Sequence, residues 1–400
     1  MSSGSSGKLH ALVAGAGIGG LVAALALLKR GIDCDVYEQA PELREVGAGL
    51  WLSANGTRVL FDMGLEEPLR DASIECTERV IRHWKSGNTW WLYKQEGEGR
   101  SPNTPYVLLR AHLHRILMEA VEREKPGAIH LASRCTGYSA HGNRVRLDME
   151  NGSAEGDLLI GADGLNSKIR ETMMGAMPGR FTNALAWRGL VPMERLKPHQ
   201  RGPRVSTWVG PTAHVTVYPV RWRGSELLTF SGQVERSDWT LESWSEKGST
   251  EECLNDFAGW HPDVVEMIAN VETLHKWGLF VRDPLPRWST GRVTLLGDAC
   301  HSMVPYLGQG VNMAIEDACV LARCLGEYAP EEALRHYEGA RRERTSKVAQ
   351  GSANMQRTFH HPDLAAEPAA ARYIETQWSP AASKARFDWI YQYDARTAPI

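Results

Sequence analysis

The 400-residue chain predicts an α/β fold in which a parallel, doubly wound unit is split by a mostly antiparallel sheet and followed by a helical C-terminus. Three observations predict it. An apolar run, Leu9 to Ala14, ends in Gly15-Ala16-Gly17-Ile18-Gly19-Gly20 and opens into the Ala- and Leu-rich stretch Leu21 to Leu28. Between Pro178 and Pro286, short alternating runs follow one another with turns between them, and no strand-helix alternation occurs until Thr250. Near the end, Gly291-Arg292-Val293-Thr294-Leu295-Leu296-Gly297-Asp298 restores a buried-strand pattern ahead of a helix from Val311 to Leu325.

The first segment has the strand, turn and helix of a Rossmann-type unit. Gly15 lets the chain turn sharply, Gly17 leaves no side chain between the backbone and a pyrophosphate, and Gly20 lets the helix pack close to the strand. The helix start then offers unpaired N–H groups to an anion. A second strand, Cys34 to Tyr37, ends at Glu38, where a carboxylate accepts from ribose hydroxyls.

Further along, Arg44 to Leu50 reads as a glycine-punctuated loop and Thr57 to Met63 as a helix. Val80 to Trp84 and Thr89 to Tyr93 read as a hairpin around Ser86-Gly87-Asn88. Tyr106 to Leu109 and Arg110 lead into a helix, Ala111 to Glu124; strands follow at Ala128 to Leu131, Arg134 to Ser139, Val145 to Met149 and Asp157 to Ile160, then a helix, Asn166 to Thr172. The inserted sheet takes Leu185 to Val191, Val205 to Val209, His214 to Tyr218 and Leu227 to Gln233. The organisation expected is a flexible tail (1–7), a discontinuous cofactor domain (8–79, 101–178 and 287–360), a substrate-binding sheet domain (80–100 and 179–286) and a C-terminal helical segment (361–400).

Composition narrows the function classes. A net charge of -3 with mixed signs, 42% hydrophobic and 23% charged residues describe an ordinary globular chain without a nucleic-acid footprint. No apolar stretch is long enough to span a membrane, and the Ser/Gly N-terminus has no apolar core of a signal peptide. Seven cysteines without a CxxC pair argue for free thiols and a cytoplasmic location, and fourteen histidines show no zinc-ligand spacing, so no metal is expected. Partners should be small molecules, and the protein a monomer or homodimer.

Gly15 to Gly20 with Glu38, Gly161-Ala162-Asp163-Gly164, and Gly297-Asp298 through Gly310 resemble the three fingerprints of single-component (class A) flavoprotein aromatic hydroxylases. Within that family the likeness is to the group of salicylate hydroxylase, 3-hydroxybenzoate 6-hydroxylase and 6-hydroxynicotinate 3-monooxygenase. Supporting it are Trp187-Arg188-Gly189, His214-Val215-Thr216-Val217-Tyr218, Gly259-Trp260-His261-Pro262 and Trp389-Ile390-Tyr391-Gln392-Tyr393-Asp394, and it covers essentially residues 8 to 395. The resemblance implies FAD as cofactor, NADH or NADPH as transient co-substrate, and O2. One oxygen atom enters a hydroxylated aromatic carboxylate through a flavin C4a-hydroperoxide, and the other becomes water. Hydroxylation of a non-carboxylate phenolic or N-heterocyclic ring, or a flavin oxidoreductase without oxygen insertion, are the alternatives.

The same resemblance assigns roles. Glu38 holds the adenosine ribose with Gln39 and Ala48 nearby, Arg110 reaches the pyrophosphate, the backbone of Cys135 meets adenine, and Asp163 serves both FAD and the nicotinamide. Asp298 accepts from ribityl hydroxyls, while the amides of Gly310, Val311 and Asn312 face the anionic reduced flavin. For Asp163 and Asp298, turn-forming Asp beside Gly is the competing reading.

Substrate chemistry falls on the inserted sheet. On a strand His214, Thr216 and Tyr218 share one face, His214 and Tyr218 about 13 Å apart at ~3.3 Å per residue. His214 is expected to take a phenolic proton and Tyr218 to orient the ring, against the reading of an exposed His opposite a packed Tyr. Trp51 and Trp187 complete the expected pocket, with Pro305 and Tyr306 facing the ring from the flavin side. Cys300 reads as a small buried side chain rather than a catalytic thiol, and His301 as structural. Two departures stand out: Ser302 replaces the family's Pro, and Trp51 stands where 6-hydroxynicotinate 3-monooxygenase has a histidine, which puts a pyridine substrate in doubt.

Overall fold

The computed structural model describes residues 8–42, 49–94, 105–238 and 246–400. Its first sheet has six strands in the order Ser289–Thr290, Val293–Leu295, Leu158–Gly161, His10–Ala14, Asp33–Tyr37 and Ile129–His130. All neighbours are parallel except the hairpin of the first two. Parallel strands are covered on both faces, which explains why Ala11–Ala14 and Leu158–Ile160 are wholly buried. The helix Ile18–Leu28 lies against this sheet and packs on the helix Gly310–Glu327. The far end of the sequence thereby returns beside the first glycine turn.

The second sheet has eight strands: Glu246–Lys247, His275–Val281, Arg180–Pro192, Ser225–Glu235, Ala213–Trp222, Arg204–Val209, Glu78–His83 and Thr89–Lys94. Only Arg204–Val209 and Glu78–His83 pair in parallel. One face packs Trp187, Trp208, Val215 and Val217 against Phe257, Val264, Met267 and Ile268 from the helices Thr250–Asp256 and Pro262–Ala269 and the turn between them. The other face carries the polar side chains of the site.

Element types follow the sequence expectations, and the ends differ for local reasons. The Leu185 to Val191 strand begins at Arg180 because the chain continues past a bulge at Phe181/Leu185, where Asn183 has a positive φ of 57°. The helix expected from Asn166 starts at Lys168, since the Ser167 hydroxyl accepts the Arg170 N–H and caps it. A short strand, Gly152–Gly156, was not expected from its Gly- and Ser-rich sequence; it forms as the third strand of a meander with Cys135–His141 and Arg144–Met149. Among the described residues no helix is long and apolar enough to cross a membrane.

The 30-residue helix Pro330–Phe359 serves both sheets. Leu334 and Tyr337 enter the core of the parallel sheet, while Val348, Met355 and Phe359 join a cluster with Ile81 and Val209 of the antiparallel one. Midway along it the fully buried Arg341 meets two equally buried carboxylates, Glu316 at 2.7 Å and Asp317 at 2.8 Å. Arg344 adds a 2.8 Å bond to Glu316, Asn55 donates to Glu316, and His301 pairs with Asp317. Burial alone would raise Asp317, but His301 and Arg341 outweigh it and hold the carboxyl below its usual range. Replacing Arg341 by Met leaves two buried carboxylates short of a cation and is expected to cost about 3–5 kcal/mol, read as a lower urea midpoint.

Candidate active site

Between the two sheets lies a cavity of about 370 Å³. Its first wall is the glycine turn, Gly17 to Gly19, with Arg110 at an exposed edge. Here the absence of side chains has a specific cause at each position. A Cβ on Gly20 would lie 2.0 Å from the Gly15 carbonyl oxygen, and Gly15 itself has φ +101° and sits against Ala162. Gly17 differs: its φ of -66° suits any residue, and a Cβ there would meet nothing within 4 Å. The space it leaves is the cavity's own.

The second wall is Leu296 to Asp298 and Ser302 to Val311. Gly297 turns at φ +64°, placing Asp298 at the cavity edge, while its N–H donates to Asp317 at 3.2 Å. In the helix Gly310–Glu327 the first intrahelical bond is donated by Met313, so the N–H groups of Gly310, Val311 and Asn312 have no helical acceptor. The side chain of Asn312 faces away from the cavity: its oxygen accepts from Ser53 N, and its amide donates to the carbonyls of Trp51 and Gly308. It ties the strand Gly49–Leu52 to the helix start.

The floor is the antiparallel sheet, and its register sets out the polar groups in rows. Tyr218 pairs with Thr229; Thr216 stands between Ser231 and Thr207, with Arg188 beyond Ser231; His214 pairs with Gln233. His214, Thr216 and Tyr218 do share the cavity face, while Val215 and Val217 point into the core behind. His214 is only 2% exposed, which removes the exposed-His reading. Burial, reinforced by the neighbouring His360, pushes its pKa well below the ordinary value, so it is neutral at pH 7. Burial pushes the Tyr218 hydroxyl up to about 12, so it remains a proton donor.

Trp187 is a correction. It was expected in the pocket, but strand alternation puts it on the opposite face, fully buried, with its indole N–H donated to Asp256 at 2.8 Å. Its neighbour Arg188 takes the cavity side, stacked over Trp277 at 4.9 Å, and its Nε has no partner. Arg79 likewise lines the cavity, between the rings of Trp51 and Phe387 at 5.1 Å each. Neither arginine was singled out from sequence; strand alternation puts Trp187 and Arg188 on opposite faces but does not say which face meets the cavity.

Other expected residues separate from the cavity. Asp163 caps the helix Lys168–Met174, accepting from Ser167 Oγ and the amides of Lys168 and Ile169; Ala162, Gly164 and Leu165 line the wall there instead. Glu38, Gln39 and Cys135 lie beyond it, where the Glu38 carboxylate accepts from the amides of Ala16 (2.8 Å) and Ala40 (2.9 Å) and keeps lone pairs for further donors. Ala48 falls outside the described residues. Trp51, Pro305 and Tyr306 line the cavity as expected, the Tyr306 ring 5.3 Å from His214. Cys300 packs as a buried thiol bonded to the Gly297 carbonyl, and with His301 and Asp317 it forms a close trio in which the carboxylate is already held by Arg341.

The FAD binding domain family matches residues 8–352. The chain is 39% identical to the 3-amino-4-hydroxybenzoate 2-monooxygenase PtnB3 of Streptomyces platensis, over 97% of this chain and 96% of that one. It is 36% identical to the 6-hydroxynicotinate 3-monooxygenase of Pseudomonas fluorescens, over 84% and 88%. The solved structure of Klebsiella pneumoniae HpxO complexed with FAD and uric acid superposes with a TM-score of 0.79 at 27% identity, covering 98% of this chain and 97% of that one. The chain belongs to this FAD-binding family and is an FAD-dependent monooxygenase of the aromatic hydroxylase type.

The residues present fit FAD: the open space over Gly17 suits the pyrophosphate, the carboxylate of Asp298 suits ribityl hydroxyls, and the free amides from Gly310 suit an electron-rich ring edge. Gly17→Leu is expected to fill that space and weaken FAD binding on the order of 100-fold, equivalent to ~2.7 kcal/mol, while the apo-protein melts as before. Flavin absorbance per protein and apo-protein melting curves check both halves.

Proposed function

We propose that the substrate is a phenolic aromatic carboxylate, with His214 as the base for the phenol, Tyr218 orienting the ring and Arg188 holding the carboxylate. The observation that carries this reading is Arg188: a cation on the cavity wall that no carboxylate meets among the described residues. The name of the Streptomyces platensis relative makes 3-amino-4-hydroxybenzoate the first compound to test.

Bound FAD supplies the hydride acceptor and the activated oxygen. The chain supplies position, proton handling and dryness. His214 Nε2 has no protein partner among the described residues and belongs to a neutral ring, so it can accept a proton. Loss of the phenolic proton raises the electron density of the ring, which electrophilic oxygen transfer needs. Tyr218, still protonated, donates to an oxygen of the substrate rather than competing for the proton. Tyr306, Phe359, Trp277 and Leu307 close the space around the ring and keep water out.

His214→Gln is expected to lower hydroxylation on the order of 10²–10⁴-fold while NAD(P)H is still oxidised and hydrogen peroxide is released. Product yield per NAD(P)H measures this, and full coupling would remove His214 from the role. Arg188→Met should weaken binding of the carboxylate roughly 10–100-fold, as for a lost charged hydrogen bond, and leave the decarboxylated phenol unaffected. Equal losses for both compounds would favour a ring without a carboxylate. Because the pKa of His214 is depressed, the acid limb of kcat/KM assigned to it should lie below pH 6.5. The stability this buried neutral ring contributes is present above pH 6.5 and is lost as pH falls toward the depressed value.

A further inference from the structure

We propose that His214 does not retain the proton it takes but passes it through His360 to Glu235, which delivers it to solvent. This rests on the reading of His214 as base. His214 Nδ1 lies 2.8 Å from His360 Nε2, and His360 Nδ1 lies 2.9 Å from a carboxylate oxygen of Glu235. Three elements meet here. His214 and Glu235 come from neighbouring strands, and His360 caps the C-terminus of the helix Pro330–Phe359, bridging to Gly210. Exposure rises sharply at the end of the chain of groups: His214 is 2% exposed and His360 6%, while the Glu235 side chain is 43% exposed.

The carboxylate fixes the direction. An ionised Glu235 only accepts, so His360 Nδ1 carries a proton, and in the neutral form of that ring His360 Nε2 is bare. His214 Nδ1 is therefore the donor between the two rings, and His214 Nε2 is left as a lone pair on the cavity side. When the phenolic O–H bond breaks, its proton joins Nε2. The Nδ1 proton of His214 moves to His360 Nε2, the Nδ1 proton of His360 moves to Glu235, and Glu235 yields it to water. Each group gains one proton and loses one; no oxidant is needed. Two imidazoles held only for packing would need no charged partner. Here the carboxyl is held below its usual range, first by its bond to His360.

Other groups facing this line are few. Tyr306 packs its ring on both histidines with a buried hydroxyl that has no partner, Phe359 stacks on His214, Gln233 pairs with His214 across the sheet, and Gln356 bonds Glu235. Burial holds the Tyr306 hydroxyl high, so it does not titrate in the range of the histidines. Tyr218 and Arg188 lie further along the floor.

The test uses the FAD-loaded enzyme, 3-amino-4-hydroxybenzoate as probe and a pH-indicator dye in anaerobic stopped flow. Proton release on binding should slow on the order of tenfold in Glu235→Gln and further in His360→Phe, below the general-base range for loss of His214 itself. Probe affinity and flavin reduction should stay within about twofold. Glu235→Asp should restore part of the rate, and added formate should speed Glu235→Ala. Wild-type release rates in both blocked variants, or equal losses in flavin reduction and proton release, would overturn the relay. If the wild type neither binds nor hydroxylates the probe, the substrate reading fails on its own. The relay is then judged by ¹⁵N spectra of labelled histidines, where Nδ1-protonated His214 and His360 that lose this ordering in Glu235→Gln support it and unchanged spectra refute it.

Discussion

Arg341 sits where the two halves of the cofactor site have to be held in one geometry. Its guanidinium spans Glu316 and Asp317, adjacent residues of the helix whose first turn faces the cavity. Each carboxylate reaches onward. Asp317 accepts the Gly297 amide and pairs with His301, which sets the turn that presents Asp298. Glu316 accepts from Asn55, whose amide also donates to Gln309, which in turn donates to Ser53. One buried cation thus connects the turn at Gly297, the helix start at Gly310 and the strand carrying Trp51. A buried ion cluster is an expensive way to gain stability, and hydrophobic residues of the same volume often do as well. What it supplies here is direction: charged hydrogen bonds constrain angles as well as distances.

The sheet floor works by a different constraint, the period of two. Since neighbouring residues on a strand face opposite ways, the same stretch provides both a hydrophobic back and a polar front. Val215, Val217 and Trp187 fill the back; His214, Thr216, Tyr218 and Arg188 form the front. A one-residue slip in any strand would exchange the two sets. The large residues behind the sheet, Trp208 and Phe257 among them, therefore hold the cavity face in register.

Much of this was legible in the chain because it depends on local rules. The glycine turn, the Gly297-Asp298 turn and the alternation around His214 are each determined within a few residues, and the structure brings them to one cavity as the family resemblance implied. What was illegible depends on partners far apart. His360 meets His214 across 146 positions, at the end of a helix whose length periodicity does not predict. Gly-Ala-Asp-Gly suits a cofactor turn or a cap for Asp163, and its capping bonds could be read only by knowing that the following helix begins at Lys168. Trp187 and Arg188 must face opposite sides of the strand, and which of the two meets the cavity depends on what packs behind the sheet: the indole N–H goes to Asp256, far along the chain.

These constraints converge on the electrostatics of the cavity. Arg79, Arg110 and Arg188 line it, the free amides at Gly310 add a partial positive charge, and Asp298 is the only carboxylate among the described residues of its lining. Such a space favours anions: a carboxylate, a phenolate, an electron-rich flavin edge. It equally disfavours a positive imidazolium, and burial adds to that penalty. A base in this setting can take a proton only if the positive charge does not stay with it. With His214 as the proposed base, the field that favours a phenolate also calls for an outlet for the proton, and the exposed carboxylate of Glu235 is the negative group that the hydrogen-bonded line from His214 reaches.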